Sequence, residues 1–213
     1  MLDFVIIIVI IVAAVLAYFV QKWRREHIQR VAKRLGLQFR AEDSDLPRRY
    51  AFLDKLSQGR SRNARNILTG EYQGHPTTSF DFHYTVGAGK NKRNVSCSFF
   101  MLHLEKHFPE LRIATEGLFS KFAQSIGFDD IDFESHEFSR KYVVRSEDKK
   151  FAYDVCNARM IEHLLASPIE NLEIDGPCMA LGFNRCISPD AIEYQLYRLV
   201  KIRERMPNYL FDG

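Results

Sequence analysis

The chain has 213 residues, of which 46% are hydrophobic, 27% charged and 13% aromatic, with 11 Gly, 7 Pro, 4 Cys and a formal net charge of +3. That composition belongs to one globular domain; it excludes a disordered, collagen-like or low-complexity chain, and four scattered Cys exclude a disulfide scaffold. No self-similar period of repeat-protein length is present, which excludes a solenoid.

Phe4 to Val20 is an unbroken apolar run of 17 residues, 13 of them Ile, Val, Leu or Phe. At about 1.5 Å per residue it covers roughly 25 Å, and Met1, Leu2 and Trp23 extend it toward the ~30 Å of a hydrocarbon core. Insertion of those 13 side chains is worth about −4 to −8 kcal/mol. A cleaved signal peptide needs a basic start and a small-x-small cleavage site, but the run opens on Met-Leu-Asp and closes on QKWRRE. Residues 1–23 therefore read as a retained transmembrane anchor, with the lipid bilayer as partner. The following flank carries Lys22, Arg24, Arg25, Arg30, Lys33 and Arg34 against Glu26. By the positive-inside rule this gives a single-pass inner-membrane protein, N-terminus outside and C-terminal domain in the cytoplasm. Cys97, Cys156, Cys178 and Cys186 show neither CxxC nor zinc-like spacing and read as reduced, buried small hydrophobes.

Charge is unevenly distributed. Residues 21–70 hold 13 Lys/Arg and 5 Asp/Glu; residues 71–213 hold 17 and 21. Lys22, Trp23, Arg24 and Arg25 are the expected membrane-surface contacts, each basic residue contributing about 1 kcal/mol beside an anionic leaflet. No stacking aromatics are interleaved with them, so nucleic acid is not an expected partner.

Beyond the anchor, Ile28, Val31, Ala32 and Leu35 recur at helical spacing, and Gly36 suits the helix end. Leu37–Phe39 reads as a short strand, 41–47 as a polar break, Tyr50 to Leu56 as a short helix and 57–63 as a basic loop. Ala64–Tyr72 and Pro76–Val86 flank Gln73-Gly74-His75 as a hairpin. In its second strand Thr78, Phe80, Phe82, Tyr84 and Val86 alternate with Ser79, Asp81, His83 and Thr85, which predicts one buried and one polar face. After the turn at 87–92, Arg93–Leu104 carries apolar residues on both faces, as a central strand does. Leu111–Ala114 follows. Thr115 can cap a helix striped with Leu118, Phe119, Phe122 and Ile126 and stopped by Gly127. Phe138–Arg145 reads as strand, and Ser146 as the cap of a helix carrying Phe151, Val155, Met160, Ile161 and Leu164. Leu172–Ile174 and Cys178–Phe183 read as a hairpin around Asp175-Gly176-Pro177. Ser188-Pro189 opens a last helix striped with Ile192, Leu196, Leu199 and Val200. Strand runs with interspersed helices predict α+β rather than a wound parallel sheet.

Motifs for chemistry are few. Gly87-Ala88-Gly89-Lys90 lacks the following Ser/Thr and helix of a phosphate loop and reads as a hairpin turn. Asp129, Asp130, Asp132, Glu134 and Glu137 form an acidic edge suited to partner docking. As a calcium loop it fails, with Ser135 where Gly and Lys141 where Glu should stand, so Asp130, Asp132 and Glu134 remain only weak metal candidates. His103 and His107 do not form HExxH, and on a strand they stand about 13 Å apart. No GxSxG occurs. No catalytic residue, cofactor or metal is assigned.

Residues 130–165, DIDFESHEFSRKYVVRSEDKKFAYDVCNARMIEHLL, resemble the signature block of an uncharacterised bacterial family of membrane-anchored domains, "IDFES-x-EF-x-R-x-Y-x-V-x-S-x-D-x-x-FAYDLL". RNARNILTGEYQG, FDFHYTVGAGKNKR and LRIATEGLFSKF resemble its upstream segments, with Ala114-Thr115 where the family has Pro. The resemblance covers about residues 60–200 and implies a shared domain but no catalytic residues.

The sequence thus predicts an N-terminal transmembrane helix (1–23), a basic juxtamembrane helix and linker (24–60), a cytoplasmic antiparallel α+β domain (61–205) and a tail (206–213). The role expected is binding or scaffolding with an unidentified protein partner, through the sheet's polar face or the acidic edge. Two alternatives stay open: a tethered hydrolase or transferase whose site gathers His136, Asp132 and Arg140, and an anionic-lipid-binding stalk.

Overall fold

The computed structural model describes residues 2–115 and 130–212. The helix expected over Leu118–Ile126, its stop at Gly127, and Asp129 lie outside the described residues.

Helix α1 runs without a break over Leu2–Leu35. No Gly or Pro interrupts it, and its pattern changes near Gln21 from apolar all round to one apolar stripe. Phe4 to Trp23 are exposed, whereas Ile28, Val31 and Ala32 are buried in the domain. The helix is long and apolar enough to cross a membrane. It closes at Gly36, whose φ of +71° lets the Leu37 N–H reach the Ala32 carbonyl at 2.9 Å.

The chain then builds one antiparallel sheet from β1 (Gln38–Asp43), β2 (Arg60–Tyr72), β3 (His75–Val86), β4 (Arg93–Thr115), β5 (Tyr142–Ser146) and β6 (Asn171–Gly182). The order is β1-β2-β3-β4-β5, with β6 also paired to β4. Residues 38–43, expected inside a linker, are thus an edge strand of the domain, in register with β2 from Gln38–Thr69 to Asp43–Ala64.

Strand β4 organises the sheet. Its first half pairs with β3, its last five residues with β5, and β6 lies against both halves. The two strands expected at Arg93–Leu104 and Leu111–Ala114 are therefore one. The hairpin expected around Asp175-Gly176-Pro177 does not form either. Gly176, at φ +54°, sits opposite Phe108 where the β4–β6 register shifts, so the turn-forming residues make a bulge in a continuous strand.

Two other expectations are corrected. The strand predicted at Phe138–Arg145 begins as helix α4 (His136–Lys141), which Ser135 caps by accepting the Phe138 N–H; β5 starts only at Tyr142. The single helix predicted after Ser146 is two: α5 (Lys149–Val155), capped by Asp148, and α6 (Ala158–Ala166), capped by Asn157. Ser146 instead donates to the Glu110 carbonyl at 2.6 Å. Ser188 opens a 3-10 turn (Pro189–Ala191) before α7 (Ile192–Arg203). The expected tail is packed in part: Met206 is buried, and the Phe211 ring lies 5.1 Å from that of Phe108.

Both faces of the sheet are covered. On one side α1, α5, α6 and α7 bury Ile28, Phe100, Leu102, Phe151, Leu164 and Leu196. On the other, α2 (Leu46–Arg49) and α3 (Asp54–Ser57), with their connection, cover Phe80, Phe82, Tyr84, Phe99 and Met101 with Leu46, Leu53 and Leu56. Burying each such side chain fully is worth about 1.5–3 kcal/mol. The expected polar face of β3 is consequently not free: Thr77, Ser79 and Asp81 are buried under the first of these layers.

Candidate functional site at the helix–sheet junction

The most ordered polar constellation lies where α1 meets β3. Asp81 is the single acidic residue in β3 and is 3% exposed. A buried carboxylate is costly unless paired and hydrogen-bonded. Arg24, one turn before the buried Ile28, supplies both needs: Nε donates to Oδ2 at 2.9 Å and Nη2 to Oδ1 at 2.8 Å. This two-pronged geometry fits a planar guanidinium and not a lysine. Asn66 Nδ2 donates to Oδ2 at 2.9 Å, and Ser98 Oγ to Oδ1 at 2.7 Å. Asn66 is presented from the irregular stretch of β2 between Arg65 and Leu68, with a φ of +52°. Ser98 Oγ in turn accepts the Ile187 N–H at 2.9 Å.

The electrostatics follow. Burial works against the Arg24 charge, but the Asp81 hydrogen bonds and charge outweigh it and hold its pKa above the ordinary value. Cys186 lies beside the pair, and burial together with the Asp81 charge pushes its thiol up to about 12. It is held in the thiol form at neutral pH. Two further pairs tie α1 to the turn and helix near its end: His27 Nε2 to Asp190 Oδ1 at 3.0 Å, and Arg34 Nη2 to Glu193 Oε2 at 2.9 Å. Ile28, Val31 and Ala32 pack between them. The helix and the sheet are therefore one body.

The expected membrane-contact residues separate in this geometry. Arg24 is turned into the domain. Lys22 and Arg25 are exposed, Lys22 within 4.0 Å of Glu26, and the Trp23 ring stands edge-on to His27 at 4.9 Å. Asp81, Asn66 and Ser98 escape a reading of the sequence. The one available sign is a lone Asp on the face opposite Phe80 and Phe82.

The acidic edge is surface. Asp130 Oδ1 accepts the Arg145 Nε at 2.7 Å; Asp132, Glu134 and Glu137 are exposed. Among the described residues no group of three or more His, Cys, Asp or Glu is placed to hold a metal ion, so Asp130, Asp132 and Glu134 are not brought together as ligands. A groove of about 750 Å³ beside them is lined by Asp132, Phe133, Tyr153, Cys156, Ile161 and Leu165, and its lining includes neither His136 nor Arg140. The signature block reads as architecture: Ser135, Asp148 and Asn157 cap helices, Phe138 fills the core, and the Tyr142 hydroxyl bridges the Leu164 carbonyl and the Ile169 N–H. Gly87–Lys92 is the turn the sequence predicts, with a short 3-10 stretch at Gly89–Asn91.

Fold and junction define a class: an antiparallel α+β domain carried rigidly on one N-terminal apolar helix. No family model matches the chain, and no curated protein matches it. Among solved structures, the crystal structure of the mycobacterial trehalose monomycolate transport factor A, TtfA, superposes with a TM-score of 0.65 over 86% of this chain and 96% of that one, at 15% identity. At that identity the likeness establishes the α+β fold.

Proposed function

We propose that this protein is a membrane-anchored, non-catalytic binding module, an accessory component of a transport assembly in the inner membrane, with its domain in the cytoplasm. The observation that carries the reading is the Arg24–Asp81 junction, which joins a helix long enough to cross a membrane to the sheet without a hinge. Such a junction sets the domain's stance above a bilayer, as a docking module needs and a freely tethered enzyme does not. The fold shared with a transport factor supports the process, and the basic flank after the span supports the orientation. The surface assigned to the protein partner is the exposed acidic edge of Asp130, Asp132, Glu134 and Glu137 beside the apolar groove; Asp129 belongs to it in sequence. A hot spot needs such an apolar centre within a polar rim.

The test is photo-crosslinking of the full chain in native membranes from positions Glu134 and Glu137, with position Gln73 as control. A discrete adduct with an integral membrane transport protein is the expected result. A crosslink to no membrane protein, or an adduct unaltered by reversing the other three acidic charges, overturns the assignment. Orientation is read separately: a C-terminal tag is expected to resist protease in intact cells and to be cut after permeabilisation.

A further inference from the structure

The position of α1 against the sheet fixes which end of the domain faces the bilayer. Arg24 meets Asp81, and Gln21, one turn earlier, lines a cleft with His83, Tyr84, Thr85, Asn94 and Val95. Farther along, Ile28 lies with Ser79 and Phe80, and Leu37 touches Gly70, which pairs with Thr77. Helix α1 and β3 therefore run in opposite directions, and β3 advances toward the apolar span as α1 leaves it. Thr85 is already level with Gln21. Val86 adds about 3 Å of extended chain, the rise of roughly two helical residues, before Gly87 at φ +78° turns the chain, so the β3–β4 turn begins near the level of Phe19.

That turn is basic. Lys90, Lys92 and Arg93 are exposed, Gly87–Arg93 contains no acidic residue, and Arg60 is exposed on the adjoining start of β2, paired with Thr85. Nearby carboxylates are engaged: Glu26 by Lys22, and Glu42 by Asn63 and Arg65. Among the described residues none forms an ion pair with Lys90, Lys92 or Arg93. Arg25, on α1, is also exposed.

We infer that the β3–β4 turn, with Lys90, Lys92 and Arg93, is a membrane-contact site that seats the domain on anionic lipid headgroups. The inference rests on the part of the proposed function that puts α1 across a bilayer, and on nothing about transport. It replaces the stalk as the main lipid contact, because Arg24 is committed to Asp81. The rigid junction presents the turn to the headgroups without an ordering cost, and each basic residue close to an anionic surface favours contact about five-fold. Three such residues act together on the order of a hundred-fold.

The test uses the full chain in nanodiscs of phosphatidylcholine alone or with one-third phosphatidylglycerol. A small fluorescent amino acid is introduced at position Asn91, Gln73 or Ala13, and spin-labelled lipids quench it. Gln73 reports the opposite end of β3, in the turn to β2, and Ala13 the span. With phosphatidylglycerol, headgroup quenchers are expected to quench at Asn91 and not at Gln73, while acyl-chain quenchers quench at Ala13. The Asn91 signal is expected to be lost in phosphatidylcholine, in 1 M salt, where charges are screened within about 3 Å, and in the Lys90→Glu, Lys92→Glu, Arg93→Glu variant. If Ala13 is unquenched, the anchor itself fails. If Ala13 is quenched but Asn91 matches Gln73, the inference is overturned and the basic turn faces a protein partner. Quenching at Asn91 that ignores lipid charge and the triple variant also overturns it.

Discussion

A carboxylate set under a helix needs donors, and Asp81 takes them from three separate segments through Arg24, Asn66 and Ser98. Removing one partner of a buried ion pair strands the other, which costs about 3–5 kcal/mol. Arg24→Ala should therefore destabilise the domain by about 3 kcal/mol, read from denaturant unfolding of the full chain in detergent. Asp81→Asn should cost less, because Arg24 keeps a path to solvent while Asp81 has none; equal losses would contradict the asymmetry. Burial gives a pH dependence through three histidines, His83, His103 and, with Arg205 and Arg198 nearby, His163. Burial lowers the pKa of His83, bonded to Ser96, and of His103, bonded to Thr78. All three stay neutral in the fold while the unfolded chain takes up protons near pH 6.5. Below that value the unfolded state binds more protons, so stability falls as pH drops through about 6.5 toward the folded-state values. The His83→Gln, His103→Gln variant should flatten the fall in melting temperature between about pH 7 and pH 5.5. An unchanged slope would place the dependence elsewhere.

At the scale of elements, helices and strands with internal periodicity are legible, and their ends are not. The β3 alternation and the Ile28–Leu35 stripe read directly, because neighbouring residues carry the whole signal. The Asp175-Gly176-Pro177 turn misleads, because a bulge uses the same residues as a hairpin; pairing with β4 along both halves of β6 decides between them. The region from Ser146 to Leu164 misleads in the same way. Its apolar spacing fits one helix, but Asn157 breaks it by capping α6 through the Met160 N–H and donating to the distant Arg205 carbonyl. Losing a cap costs about 1 kcal/mol and the Arg205 bond adds a comparable amount. Asn157→Ala should thus cost about 2 kcal/mol; Asn157→Asp, which keeps the cap acceptor but not the amide donor, should recover only part. Full recovery would show that the Arg205 bond contributes nothing.

The whole molecule is a lever: an apolar span, a junction and a sheet with no hinge between them. One residue inserted into a helix turns the two sides by about 100° relative to each other. Inserted between Ala13 and Ala14, it should leave domain stability unchanged, since those residues are exposed along the span. Inserted between Ile28 and Gln29, it sets Arg24 and Ile28 against Val31 and Ala32, which pack on the same sheet face. Loss of that burial costs about 3 kcal/mol or more, a fall of roughly 6–12 °C in melting temperature for a domain of this size. Equal tolerance of both insertions would mean that the helix is not part of the body.

Properties held by contiguous residues are open to reading from the chain: the span, the basic flank, the β2–β3 hairpin and the α+β class. Their signals are local sums of transfer energy, charge and periodicity. The candidate sites depend on longer reach. That Arg24 binds Asp81 57 positions away, that Ser79 and Asp81 on the polar face of β3 are buried, and that Gln21 shares a cleft with Thr85 and Asn94 all follow from α1 packing antiparallel to β3. No local pattern encodes that packing. It emerges when the stripe of α1 and the underside of the sheet bury each other, and the Arg24–Asp81 pair then holds the register.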